Sequence, residues 1–245
     1  MKKTKVWLLS FLITSFVIVG FTHTSFFSKT TYAAQDGFKK NKTAALQWGD
    51  RHYSKWIKNL SQEESTALKG YTKSQYDEIN TYLRRNNGKL TGSKLDEKIK
   101  NIDSALQKAP VPENIIVYRR VTDLQFEKEV NTLRPQNQEY QFGKRVNMDA
   151  FSEIKNKFYN KTFSNHSYMS TSLSQDPHES FAKHPILLKI SLPKGIHAGF
   201  IDKLSGYDQV ELLVQRGHLF KYTSFYIEKD PSGREYVAVD VQLIK

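Results

Sequence analysis

Four groups of residues in this chain have types and spacings suited to chemistry. The first is Gln209-Val210-Glu211, an amide and a carboxylate one spacer apart, running into the apolar stretch Leu212-Leu213-Val214. Residues two apart along a strand share a face. Gln209 and Glu211 are therefore expected to project together at the mouth of a cleft, with Leu213 continuing that face inward and Val210, Leu212 and Val214 on the other. The second group is the hydroxyl run Ser170-Thr171-Ser172, and the third is Arg119, closing the β-rich run Ile115-Ile116-Val117-Tyr118. The fourth is Asn80 with Arg84, one helical turn apart on one face. A carboxylate stabilises developing positive charge, an amide both donates and accepts, and a guanidinium pairs two oxygens at once.

Other chemistries find little support. The seven His are scattered, there is no Cys, and no His-x-x-x-His pair sits on a helix, so no metal site is expected. Walker and dinucleotide glycine patterns are missing, as is a Gly-x-Ser-x-Gly elbow, although residue order alone leaves a Ser-His-Asp arrangement open.

The elements that must position these residues fall into two halves. The first half is expected to be helical. Phe38 to Leu60 places Ala45, Trp48, Tyr53 and Trp56 near helical spacing, and Ser61-Gln62-Glu63-Glu64 reads as a capping box. Ser74 is expected to open a third helix that stops at Asn87-Gly88, and Leu95, Ile99, Ile102 and Leu106 mark a fourth. The second half is expected to be mostly strands: Ile115 to Arg119, Ser167 to Ser172, Ile186 to Leu192, Ala198 to Ile201, Gln209 to Val214, Phe220 to Ile227 and a half-buried alternating strand from Tyr236 to Leu243. One helix, capped by Asp149, interrupts them, and Asp230-Pro231-Ser232-Gly233 is a turn. Helices first and strands later predict an α+β fold.

Residues 1–33 have the layout of a secretory signal peptide: Lys2, Lys3 and Lys5, an apolar Val6 to Phe21, then small residues around Thr31-Tyr32-Ala33-Ala34. Residues 34–245 then form a single domain with 33 basic and 25 acidic residues, a net charge of +8. Without cysteine, an exported chain of this kind relies on its core rather than on disulfides. The basic balance suits nucleic acid, anionic membranes or a phosphate-bearing ligand and does not choose among them.

Taken together, the motifs resemble the bacterial mono-ADP-ribosyltransferases, and within them the C-three exoenzymes that modify Rho GTPases. Tyr118-Arg119, Ser170-Thr171-Ser172 and Gln209-Val210-Glu211 stand in that family's order. Tyr71-Thr72 with Ile79-Asn80 and Leu83-Arg84 looks like its NAD-contacting helix, and Phe181-Ala182 with Pro185, Leu192-Pro193-Lys194-Gly195 and Arg216-Gly217 also fit. The resemblance spans essentially all of 34–245. It implies N-terminal helices packed on a two-sheet mixed β core around an NAD cleft. It also implies transfer of ADP-ribose from NAD, as co-substrate, onto an asparagine of a host Rho-family GTPase in the host cytosol, by a secreted monomer without stable membrane insertion or nucleic-acid binding. Glu211 would stabilise the oxocarbenium-like ribose and Gln209 would hold the acceptor amide. Ser170 would orient Glu211, with Thr171 and Ser172 bracing the strand beside the cofactor. Arg119 and Arg84 would grip the NAD diphosphate, Asn80 on the same helix face as Arg84 would contact the cofactor, and Phe181 would stack near the nicotinamide.

The chain departs from the family pattern in three places. The loop aromatic is Tyr207, two residues before Gln209, where the family places one three before it; Tyr207 is the candidate for substrate recognition. His184 stands where an Arg is expected, and Arg120 follows Arg119 where a small residue is frequent. Two alternatives share these residues: the same fold with water or another protein as acceptor, and, in a different class, an exported basic protein that binds nucleic acid or anionic surfaces. Nothing in 34–245 is left over for a receptor-binding or membrane-crossing domain.

Overall fold

The computed structural model describes residues 37–175, 179–207 and 209–244; the expected signal peptide lies outside them. Helix α1 (Lys42–Lys58) starts where Asn41 accepts a hydrogen bond from the Ala44 amide at 3.0 Å. Helix α2 (Gln62–Gly70) starts with the expected capping box, the Ser61 hydroxyl and the Glu64 carboxylate each satisfying the other residue's amide. Ser74 does not open a new helix. The chain continues from α2 through a π-turn (Tyr71–Gln75) into α3 (Tyr76–Arg85). The extra residue of a π-turn rotates the next helical segment about its axis, and such turns are often found near functional sites; here it seats Tyr71 in the core, 1% exposed. Gly88, at a φ of 77°, ends the run as predicted, its amide returning to the Leu83 carbonyl at 2.8 Å. Helix α4 (Asp96–Gln107) comes next, with Ile99, Ile102 and Leu106 fully buried on one stripe.

The second half supplies β1 (Ile115–Val121), α5 (Met148–Phe158), β2 (Thr162–Asn165), β3 (Met169–Ser172), β4 (Ile186–Leu192), β5 (Ala198–Phe200), the short α6 (Asp202–Ser205), β6 (Glu211–Val214), β7 (His218–Lys229) and β8 (Glu235–Ile244). Asn147, rather than Asp149, caps α5: its side chain accepts from the amides of Asp149 and Ala150. Asp149 instead lies in the first helical turn, where its charge suits the helix dipole. The strands form one mixed eight-stranded sheet in the order β2-β7-β8-β4-β1-β3-β6-β5. The two expected sheets are two lobes of it. Strands β1 and β4 pair along seven residues, whereas β1 and β3 share the single pair Tyr118↔Ser172. Past that pair the ladder stops and the lobes part.

Each lobe has its own cover. Over β5, α1 and α4 approach closely enough that Gly49 lies against Phe200 and Gly199 against Trp56. Over β7, Phe126 and Phe158 pack with Tyr222 and Phe225, ring centroids 5.0 to 6.2 Å apart. Strand β8, expected to be half-buried, buries Tyr236 and Ala238 as well as the valines. The polar-looking face is covered there because Tyr236 and Ala238 pack with Tyr118 and Leu187 in a second small cluster.

Candidate functional site

A cleft of about 270 Å³ lies where β1 and β3 diverge. Arg119 and Arg120 of β1 and Ser170, Thr171 and Ser172 of β3 form one wall. Gln209 and Glu211 stand at the entrance of β6, and Phe181 and His184 complete the lining, from the 3-10 turn Glu179–Lys183 and the residue after it. The three strand-borne motifs thus converge on one cavity.

Glu211 opens β6 and is the Cα partner of Ser172, while Ser170 faces Leu213. Cross-strand partners share a face and diagonal neighbours are within reach, which puts the Ser170 hydroxyl near enough to the Glu211 carboxylate to favour its ionised form. The same hydroxyl is near enough to Tyr71 to favour its ionised form, and Tyr71 accepts from Asn80 Nδ2 at 2.8 Å. Asn80, Tyr71, Ser170 and Glu211 thus lie in one polar cluster at the base of β3 and β6. Burial pushes the Glu211 carboxyl above the usual carboxylate range, and the nearby Asp202 adds to the rise; Ser170 and the Arg119 guanidinium pull against it. Burial also lowers the pKa of Arg119, with Arg84 adding to the effect, opposed by Tyr71 and Glu211.

The other candidates sit at varying distance. Thr171 turns its hydroxyl to the Leu212 carbonyl at 2.6 Å and Ser172 to the Gln209 carbonyl at 3.0 Å, so both brace the β3–β6 junction. Asn80 does not line the cavity: its Nδ2 donates to Tyr71 and its Oδ1 accepts from the Tyr168 amide at 3.1 Å. Arg84 is exposed beside the cleft, donating to Thr81 at 3.1 Å and near enough to Arg119 for the two charges to oppose each other. Tyr207 is 53% exposed on the turn before Gln209 and does not line the cavity. His184 is held below the ordinary imidazole pKa by burial and by Arg120, Arg134 and Arg119, and so is neutral at pH 7.

The expected strand Gln209 to Val214 is shorter in the structure, beginning at Glu211, so Gln209 and Val210 lie outside it. Val210 has a φ of 53°, a left-handed backbone that a β-branched residue rarely adopts. Strict alternation therefore does not set the shared direction of Gln209 and Glu211; a turn does. That turn is organised by Asp202, which belongs to none of the sequence motifs. Its one local signal is an acid opening a short helix seven residues before the amide. In the sequence Tyr71 enters only within the Tyr71-Thr72 part of the NAD-contacting helix; its place on a π-turn beside Asn80 and Ser170 is seen only in the structure.

The chain is similar to several known proteins. The family model described as ADP-ribosyltransferase exoenzyme matches residues 45–245. A mono-ADP-ribosyltransferase C3 of Clostridium botulinum D phage is 34% identical over 194 residues, covering 78% of this chain and 73% of the relative. Among solved structures, the ADP-ribosyltransferase toxin Plx2a of Paenibacillus larvae is 32% identical with a TM-score of 0.73, over 85% of this chain and 99% of that one. The ADP-ribosylating toxin BECa of a Clostridium perfringens binary enterotoxin, solved with NADH, is 30% identical with a TM-score of 0.71, over 85% of this chain and 49% of that one.

Proposed function

The chain belongs to the ADP-ribosyltransferase exoenzyme family, and from that premise we propose that it moves ADP-ribose from NAD onto an asparagine side chain of a host Rho-family GTPase. The observation that supports this most is the meeting of Gln209, Glu211, Ser170 and Arg119 in one cleft. The donor set suits the co-substrate: a guanidinium for phosphate oxygens, a ring for nicotinamide and a carboxylate for ribose. In the reaction the bond between the ribose anomeric carbon and the nicotinamide nitrogen breaks, its electron pair leaving with nicotinamide; a bond to the acceptor amide nitrogen forms, and that nitrogen gives up one proton.

Glu211, ionised and held by Ser170, stabilises the positive charge on the ribose. Gln209 presents a carbonyl and an NH2 to the acceptor amide, matching its own donor and acceptor. Arg119 grips the diphosphate with Arg84 at the rim, Phe181 offers its face to the nicotinamide, and Tyr207 on its exposed turn meets the protein substrate. Asn80 acts from behind through Tyr71. Residues 1–33 direct export and residues 34–245 form the single catalytic domain, which acts as a monomer in the host cytosol. Among the described residues no helix is long and apolar enough to cross a membrane.

Incubating residues 34–245 with labelled NAD and a panel of small GTPases and actin tests this reading. Label is expected on an asparagine of a Rho-family member, with one nicotinamide released per label. Gln209→Glu should remove that labelling. Label on arginine, label on actin alone, or nicotinamide release without any labelled protein would overturn the acceptor assignment.

A further inference from the structure

We infer that Asp202 is a positioning residue that holds Gln209 and Glu211 in register with each other and thereby sets how the enzyme divides its co-substrate between protein acceptor and water; this rests on the function proposed above. Asp202 Oδ1 accepts from three consecutive amides, those of Gln209 at 3.0 Å, Val210 at 2.6 Å and Glu211 at 3.4 Å. Three donors converging on one oxygen require the chain to curl, and the curl places buried Val210 at positive φ. Such a conformation persists where the surroundings over-determine it. Here they do. The Val210 carbonyl accepts from the Leu173 amide at 3.1 Å and the Glu211 carbonyl from the Ile201 amide at 3.0 Å. Buried Ser205 closes the bracket, accepting from the Tyr207 amide at 3.0 Å and donating to the Asp202 carbonyl at 2.8 Å.

The two motif residues depend on this clamp unequally. Glu211 is also fixed by its β3 pairing, with the Ser170 hydroxyl nearby. Gln209 precedes the strand and has no ladder pairing; apart from the clamp it keeps, among the described residues, only its amide bond to the Tyr207 carbonyl and the Ser172 bond to its own carbonyl, so loosening the clamp frees Gln209 first. Transfer to protein needs both residues placed, whereas hydrolysis needs Glu211 alone. The Asp202 carboxylate also faces Glu211 from α6, opposed by Arg119 on β1 with Arg84 beyond it; Tyr71 stands on the π-turn and neutral His184 lines the same cleft.

The test compares Asp202→Ala with Asp202→Asn, which keeps an Oδ1 acceptor and loses the charge. For Asp202→Ala, transfer is expected to fall about a hundred-fold, the scale of a displaced positioning group, and hydrolysis about tenfold. Asp202→Asn should restore most of the transfer. In both variants the acid limb of the pH profile should move to lower pH, because removing a neighbouring negative charge makes Glu211 easier to ionise. Hydrogen exchange at the amides of residues 209–211 should accelerate in Asp202→Ala while the β4 and β8 amides stay protected. An unchanged ratio of transfer to hydrolysis, equal losses in the two variants, or unaltered exchange at 209–211 would overturn the inference. If the wild-type chain neither transfers nor hydrolyses, the proposed function fails, and the exchange result decides on the clamp by itself.

Discussion

Arg119 Nη1 donates to the main-chain carbonyl of Ser170 at 2.5 Å, joining β1 to β3 where their ladder has ended. The guanidinium takes the place of the missing backbone amide and lines the cleft at the same time. Its planar fork allows both: one nitrogen closes the sheet while others remain for an anion.

Arg119→Lys is therefore expected to fail at both tasks. An ammonium is a point charge and cannot hold the Ser170 carbonyl while pairing two phosphate oxygens. Losing one or two charge-assisted hydrogen bonds corresponds to a rise of about tenfold or more in KM for NAD. Tm should fall as well, since the β1–β3 junction loses a bridge. Steady-state kinetics with thermal melts check this; unchanged KM and Tm in the variant would count against the bridge.

The sequence revealed the types of the site residues better than their placement. Helix ends with side-chain caps were readable, because the capping box at Ser61 and the Gly88 stop are local events. The motif types Arg119, Ser170 and Glu211 were readable as candidates because each stands in a short local pattern, and the structure brings all three to one cleft. The non-local and strained parts were not readable. The π-turn depends on Tyr71 packing edge-on against Tyr168, 97 positions away, at a centroid distance of 5.6 Å. The left-handed Val210 contradicts its residue type and exists because Asp202 imposes it. The joining of the two lobes into one sheet rests on a single pair, which no periodicity predicts.

Gly199→Ala probes the packing of the helical lobe on β5. An added Cβ would come within 2.4 Å of Trp56 Cη2 and 3.0 Å of Leu106 Cδ2. The indole cannot slide aside freely, since its Nε1 donates to the Ala105 carbonyl at 2.8 Å. Overpacking of this kind costs about 1–3 kcal/mol. The expected result is a Tm lowered by several degrees, with kcat kept at temperatures well below it. A variant as stable as the wild type would show that α1 adjusts more easily than this packing allows.

His184→Arg should tighten NAD binding and destabilise the unliganded protein. The neutral imidazole lies among Arg119, Arg120 and Arg134, and each of them disfavours its protonation. A permanent cation there adds repulsion in the free enzyme and attraction once a diphosphate is bound. Calorimetric titration with NAD should give a lower Kd, and melts should give a lower Tm without NAD. The wild-type protein, in contrast, should gain affinity only when the pH falls below the ordinary imidazole range. Weaker NAD binding in the variant would place the phosphates away from His184.

Glu211→Gln separates catalysis from stability. Transfer and hydrolysis should both be abolished, because a neutral amide cannot stabilise the ribose cation. The folded protein should nevertheless melt at a higher temperature at pH 7. Burial raises the Glu211 pKa in the folded state, so folding binds this proton more tightly than the unfolded chain does. Above the folded-state pKa, ionised Glu211 therefore opposes folding, and replacing it with Gln removes that opposition. As the pH falls through the folded-state pKa towards the unfolded carboxylate value of about 4.3, the wild-type residue becomes neutral and the advantage of the variant should vanish. Melts of the two proteins from pH 8 to pH 4 should converge on the acid side. Curves that stay parallel, or a variant that is less stable at pH 7, would mean that Ser170 and Arg119 already compensate the buried carboxylate in full.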